Sequence, residues 1–326
     1  MTASIKKTTL SIGLIATAAS LVPLKGTHAA TKHHVTFESG GETLVGHLYM
    51  PKSHNENTPT FVILGPMTFQ KEQAPTEYAT RLAEQGFAAL AFDTRYRGES
   101  GGEPRALENT FHKVEDLKNA VSFIKGLAGF NADSIYALGI CQGSSAVVNA
   151  VAQDDNIKGG ITLAGHYRDR EGDIAWLTKE GFETRLAKGQ AALDLYERTG
   201  EVEYVAGVDE TDMNVGMPGK FVWDWYHVWE EKGLWENRYA VMSDAALLSF
   251  ESISAAAEIN KPYLMIHSDN SFLPDAARRH FNAMPSKQKT LLWEGETPHL
   301  AYYDQPEILD RTTLTIANWV DRIEAN

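Results

Sequence analysis

The stretch Ser134-Ile-Tyr-Ala-Leu-Gly-Ile-Cys-Gln-Gly-Ser-Ser-Ala-Val-Val-Asn149 decides how the rest of the chain is read. It opens as a short apolar run, residues 135–138, meets Gly139-Ile140-Cys141-Gln142-Gly143, and continues as a small-residue helical pattern over 144–151. A strand that turns sharply into a helix holds the residue at its tip in a strained conformation. Side chains on either flank would collide with the neighbouring strand or helix, which is what the two glycines avoid. Cys141 occupies the tip and is the only cysteine in the chain. A free cysteine is usually a small buried hydrophobe, so a catalytic reading depends on partners elsewhere in the sequence.

Upstream, residues 33–38 and 43–50 alternate apolar and polar around Ser39-Gly40-Gly41, which predicts an opening antiparallel hairpin. The runs 60–64, 87–92 and 159–164 are continuously apolar, as strands buried on both faces are, and 262–267 and 290–293 supply the last two strands. Helical patterns fill 76–85, 111–127 and 306–323. The alternation predicts an α/β chain with an eight-stranded, mostly parallel, doubly wound sheet and an antiparallel start. Residues 166–257 break it with helical pattern and no core strand, and they hold five of the seven tryptophans: Trp176, Trp223, Trp225, Trp229 and Trp235. Following a strand's carboxyl end, this insertion is expected to be a helical, aromatic-rich cap over the face where open α/β sheets bind ligands. Most of its aromatics are expected to form its own core, with Trp223 and Trp225 contributing to an apolar acyl or ring pocket.

The 326 residues, 43% of them hydrophobic, suffice for one large domain, residues 30–326, carrying that insertion. Lys6 and Lys7 precede an apolar segment, residues 10–24, and Thr27-His28-Ala29 offers a small-residue cleavage site. Residues 1–29 therefore read as a signal peptide and the protein as exported, periplasmic or secreted. The apolar segment is interrupted by Ser20 and Pro23 and is short for a membrane span, so no membrane attachment is expected after cleavage. The formal charge of −13 would become more negative by three with the loss of Lys6, Lys7 and Lys25, which disfavours nucleic acid and anionic membranes as partners. An exported protein normally pairs its cysteines; a single one must be buried or employed.

A thiol nucleophile needs a base and a group that orients the base. His299, in Gly295-Glu-Thr-Pro-His-Leu-Ala-Tyr-Tyr-Asp304, is the histidine placed in the loop after the last strand. Asp269 and Asp275 follow the preceding strand; Asp275 reads as a helix cap, and Asp269, just past the strand end, is the preferred orienting acid. Cys141, Asp269 and His299 then form the expected triad in the order nucleophile, acid, histidine. Oxyanion donors are expected from the backbone N–H of Gln142 and of Met67, since Pro66 has none. The helix after Cys141 is expected to lower the thiol pKa and to favour a thiolate–imidazolium pair. His166, just past another strand end, is placed to line a substrate pocket. No histidine–carboxylate spacing suggests a metal, and no cofactor is implied.

On these residues the chain resembles the α/β-hydrolase superfamily, and within it the dienelactone-hydrolase-like and polyketide-transferase-like branch with a cysteine nucleophile. The resemblance is carried by Gly65-Pro66 with Lys71-Glu72-Gln73, by Phe92-Asp93 with Arg97-Gly98-Glu99-Ser100-Gly101, by Gly139 to Gly143, by Met265 to Asp269, and by His299 with Tyr303-Asp304. It implies hydrolysis of a small-molecule ester, lactone or thioester through an acyl-cysteine. The long aromatic insertion departs from the minimal dienelactone hydrolases. Acyl transfer from the same intermediate is one alternative. A non-catalytic small-ligand-binding protein on a hydrolase scaffold is the alternative from another class.

Overall fold

The computed structural model describes residues 30–325, so the expected signal peptide, residues 1–29, lies outside the described residues. Eight strands form the central sheet: β1 (Thr31–Ser39), β2 (Glu42–Met50), β3 (Thr60–Leu64), β4 (Ala88–Phe92), β5 (Ile135–Ile140), β6 (Gly159–Leu163), β7 (Tyr263–His267) and β8 (Lys289–Trp293). Their spatial order is β1-β2-β4-β3-β5-β6-β7-β8. The pairs β1–β2 and β2–β4 are antiparallel and all later pairs are parallel. The sheet is thus the mostly parallel, eight-stranded one that the alternating runs predict.

Period-two alternation explains how the central strands bury both faces. Phe61 and Ile63 of β3, Tyr136 and Leu138 of β5, and Leu264 and Ile266 of β7 pack into one apolar cluster with helices α1 (Ala74–Glu84) and α11 (Pro306–Glu324). Val62 and Leu64, Ile135 and Ala137, and Tyr263 and Met265 enter the other cluster, with α2 (Thr110–Gly126) and α3 (Gly143–Gln153). Each strand therefore lacks a solvated face. The apolar runs are continuous for that reason.

Between β6 and β7 lie α4 (Arg170–Leu177), α5 (Lys179–Thr199), α6 (Lys220–Glu231), α7 (Ser243–Ser249) and α8 (Ile253–Ala256). Unlike the purely helical insertion expected, the segment also holds two small ribbons. Tyr204–Val205 pairs with Tyr239–Ala240, and Val208–Asp209 with Met217–Pro218. After β7 come α9 (Pro274–Ala283), β8, the short α10 (Ala301–Asp304) and α11.

Candidate active site

Cys141 sits at the junction of β5 and α3 with φ of 52°, a left-handed conformation that a side chain adopts only under constraint. The flanking glycines explain how the turn closes. A Cβ on Gly143 would lie 2.6 Å from the Gly65 carbonyl oxygen, and one on Gly139 2.7 Å from Ser144 Cα. Only glycine permits the approach of α3 to β5 and to the loop after β3.

That loop delivers Met67. The backbone N–H groups of Met67 and Gln142, together with the Tyr303 hydroxyl, donate toward the Cys141 sulfur. The two expected oxyanion donors therefore converge on Cys141. The loop is held from three sides: the Thr68 N–H reaches Glu108 Oε2 at 3.1 Å, the Tyr226 hydroxyl reaches the Met67 carbonyl at 2.8 Å, and the Trp235 indole N–H reaches the Thr68 carbonyl at 2.7 Å. Beneath it, Glu108 pairs with the fully buried Lys113, whose Nζ also donates to Gln142 Oε1 at 3.2 Å. One buried ion pair thus touches both Gln142 and Thr68, the residue that follows Met67.

His299 enters the same cavity from the loop after β8, but its partners are not those expected. The Phe272 backbone N–H donates to its Nδ1 at 3.2 Å, and its Nε2 lies 2.9 Å from the Tyr303 hydroxyl. A ring nitrogen that accepts from a backbone N–H carries no proton, so the imidazole proton sits on Nε2. The chain then runs from His299 Nε2–H to the Tyr303 oxygen and from the Tyr303 O–H to sulfur. In this tautomer His299 is a donor toward Cys141, not the acceptor that the sequence suggested.

Asp269 is not brought to His299. Its exposed carboxylate accepts from Arg278 Nη2 at 2.8 Å and from the Trp293 indole at 3.0 Å, and the Arg278 guanidinium lowers its pKa. The loop after β7 offers His299 a backbone N–H in place of an acid. Asp275 also pairs with Arg278, at 3.1 Å.

The direction of the thiol pKa is the reverse of the one expected. Burial pushes the Cys141 thiol up, against the opposing effects of the Tyr303 hydroxyl, the two N–H groups and the Lys113 charge. Burial also pulls His299 down to about 3. The apolar cavity penalises both charges more than the α3 dipole relieves one. Burial thus works against the thiolate–imidazolium pair that the sequence suggested.

The cavity holds about 90 Å³ and is lined by Cys141, Met67, His166, His299 and Tyr303 together with Trp176, Met217, Pro218, Phe221, Val222, Tyr226, Phe272 and Leu300. The insertion therefore roofs it, and His166 is in the wall. Trp223 and Trp225 are not. Trp223 stacks on His227 at 5.1 Å, and Trp225 packs behind Tyr303 at 5.0 Å with its indole N–H on Asp304 Oδ2. The face of α6 that meets the cavity carries Phe221, Val222 and Tyr226 instead. Among the described residues, one set of His and carboxylate side chains has the compactness of a metal site: His47, Glu72 and Glu99. The Lys71 ammonium already lies among them, 2.9 Å from Glu72 and 2.5 Å from Glu99, and also 2.8 Å from Asp93. It supplies the positive charge there.

The sheet order, the strained cysteine between β5 and α3, and the histidine loop after β8 define an α/β-hydrolase fold. Residues 70–198 match the family model described as serine aminopeptidase, S33. The uncharacterized protein PA2218 of Pseudomonas aeruginosa is 28% identical over 304 residues, covering 85% of this chain and 76% of its own. The crystal structure of PA2218 aligns with a TM-score of 0.78 at 26% identity, over 96% of this chain and 99% of that one. The α/β hydrolase GrgF from Penicillium sp. aligns with a TM-score of 0.76 at 22% identity, over 91% and 100% of the two chains. A thiohydrolase from Eupenicillium brefeldianum is 29% identical over 132 residues, 40% of this chain and 42% of its own.

Proposed function

We propose that the protein is an acyl hydrolase acting on a small carboxylic ester, lactone or thioester through an acyl-cysteine at Cys141. The observation that carries this is the convergence of the Met67 and Gln142 N–H groups on a sulfur held at a strained strand-to-helix turn. Donors so placed stabilise the oxyanion that forms when sulfur attacks a carbonyl. The names of the thiohydrolase and of GrgF, elsewhere called a polyketide transferase, support acyl chemistry at such a site.

Cys141 Sγ bonds to the acyl carbon, an imidazole of the cavity takes the thiol proton and passes it to the departing oxygen or sulfur, and water then releases the acid. A thiolate is itself a good leaving group, so a tetrahedral adduct on a peptide amide tends to collapse backwards. Esters and thioesters fit better than peptides. Transfer of the acyl group to a bound alcohol or amine is the second outcome of the same intermediate, favoured by a roof that shields the cavity from water. Residues 1–29 are proposed to direct export.

The test is a single-turnover assay with an activated aryl ester, wild type beside Cys141→Ala. A stoichiometric burst, an acyl adduct on Cys141 by mass spectrometry and loss of both in the variant are expected. Equal behaviour of the two proteins would overturn the reading in favour of a ligand-binding protein. Adding an alcohol acceptor and analysing products separates hydrolysis from transfer.

A further inference from the structure

The cavity at Cys141 is small. At about 90 Å³ it falls below the ~150 Å³ that holds a benzene ring in an engineered protein core, so it suits an acyl group of a few carbons. Next to it lies a second cleft of about 580 Å³, built wholly within the insertion. Its walls are the first turns of α5, the loop at residues 213–215 and the segment at residues 239–244. Trp176 and Pro218 line both spaces. The larger space therefore shares two walls with the catalytic one, yet the chemistry at sulfur makes no use of it.

The shared wall lies on the histidine side of the catalytic cavity. The Trp176 ring meets Phe272 at 5.4 Å, and the Phe272 backbone N–H is the group that donates to His299 Nδ1. A departing oxygen takes its proton on that side, so the part of an ester beyond the scissile oxygen points toward the cleft. Within the cleft the buried charges cancel. Arg185 lies over the Trp176 ring at 5.7 Å, donates from Nε to Asp244 Oδ2 at 2.7 Å and from Nη2 to the Gly216 carbonyl at 2.8 Å. The Tyr239 hydroxyl holds the other Asp244 oxygen at 2.6 Å. Lys188, at the rim, faces Glu203 at 3.5 Å. Glu180 is exposed and is the lining charge with no ion-pair partner among the described residues. Hydroxyl, amide and carboxylate groups are left for a ligand, on Thr184, Asn214 and Glu180. Glu180 disfavours an anion and Arg185, at the shared wall, disfavours a cation; the set suits hydroxyl groups.

We propose that this cleft binds the alcohol portion of the substrate, an uncharged polyol or sugar carrying a short acyl group on one hydroxyl. The inference rests on the acyl-cysteine reading and names the substrate class within it. As Cys141 Sγ bonds to the acyl carbon, the bond from that carbon to the alcohol oxygen breaks, and the thiol proton ends on the departing oxygen. The freed alcohol is held past Trp176 until it leaves. Transfer to an acceptor alcohol is the reverse of this step, so the acceptor occupies the same place. Contacts this far from the carbonyl speed the reaction only of substrates long enough to make them.

The test reads selectivity for the alcohol part as a ratio of kcat/KM, glycerol monoacetate over ethyl acetate. A ratio taken within one protein does not depend on how much of a variant folds. Wild type is expected to favour the glycerol ester about tenfold, the scale of one or two net hydrogen bonds. Methyl glucoside monoacetate should be favoured at least as strongly. The acetyl esters of lactate, an anion, and of choline, a cation, should both fall below the glycerol ester. Thr184→Trp fills the cleft and should abolish the preference, whereas Ala187→Trp, exposed on the same helix and outside the cleft, should keep it. A wild type indifferent to the alcohol, a wild-type preference retained in Thr184→Trp, or a preference for the lactate or choline ester overturns the proposal. So does a rate that ignores the alcohol and climbs with acyl length, which would put the acyl chain in the cleft. Absence of a burst in wild type removes the acyl-cysteine reading instead; a burst without alcohol preference removes only the assignment of the cleft.

Discussion

Replacing Tyr303 by phenylalanine removes one oxygen from the chain that joins His299 to the Cys141 sulfur. Tyr303 is 2% exposed and its ring packs against Trp225 at 5.0 Å and His299 at 5.4 Å, so the phenyl group keeps its place and the change is confined to the hydroxyl. That hydroxyl donates to Sγ. A hydrogen bond to a charged group contributes about 1.5–3 kcal/mol. At 1.36 kcal/mol per unit, its loss raises the thiol pKa by about one to two units beyond the elevation burial already imposes. Thiolates of higher pKa are more nucleophilic, which offsets roughly half of the lost thiolate population at a fixed pH. The alkylation rate there drops only about three- to tenfold, while the inflection of its pH profile moves by the full shift. The assay is the pH dependence of Cys141 alkylation by iodoacetamide, followed by mass spectrometry. A Tyr303→Phe profile that overlays wild type would refute the donor chain.

Lys113→Met leaves Glu108 buried without its partner and is expected to destabilise the fold by about 3–5 kcal/mol, read from denaturant midpoints; an unchanged midpoint contradicts a buried pair. Phe221→Ala enlarges the cavity roof and should shift acyl-chain preference toward bulkier esters. Trp223→Ala, stacked on His227 away from the cavity, should leave that preference unchanged in a KM comparison across an ester series. Acid sensitivity follows from the histidines: burial holds His267 at about 4 and His299 at about 3, below the ordinary 6.5. The unfolded chain therefore binds more protons between those values, so the stability they contribute is present above 6.5 and is lost as pH falls toward 3. Urea midpoints should drop on acidification from neutral pH, and less steeply in His267→Gln; equal slopes in the two proteins would remove His267 from the account.

The sheet was legible because burial on both faces writes itself as uninterrupted apolar runs, and the two-glycine cysteine turn because no other residue fits beside α3. The loop carrying His299 was legible from its place after β8. The acid was not. Asp269 stands where a strand-end carboxylate could reach a histidine, yet the Arg278 guanidinium and the Trp293 indole draw it outward, and neither contact has a sequence signature. Tyr303 did carry a signal, since a spacing of four from His299 puts both on one side of a helical turn. The α6 aromatics misled because tryptophan content says nothing of helical phase; the contacts of Trp225 with Asp304 and Tyr303 fix that phase. Thiol and imidazole charge states likewise depend on the apolar roof, whose side chains are scattered from Trp176 to Leu300.

Tyr226 and Trp235 belong to the insertion, yet both grip carbonyls of the loop that presents the Met67 N–H. The roof is therefore not an interchangeable module laid on a finished catalytic base. A chimera that swaps it for a relative's segment inherits a new pocket but releases the loop, unless hydroxyl and indole donors are rebuilt at those two places. For this chain, selectivity and rate evolve together: the positions open to drift are those such as Phe221 and Met217, which face the cavity without holding the donor loop.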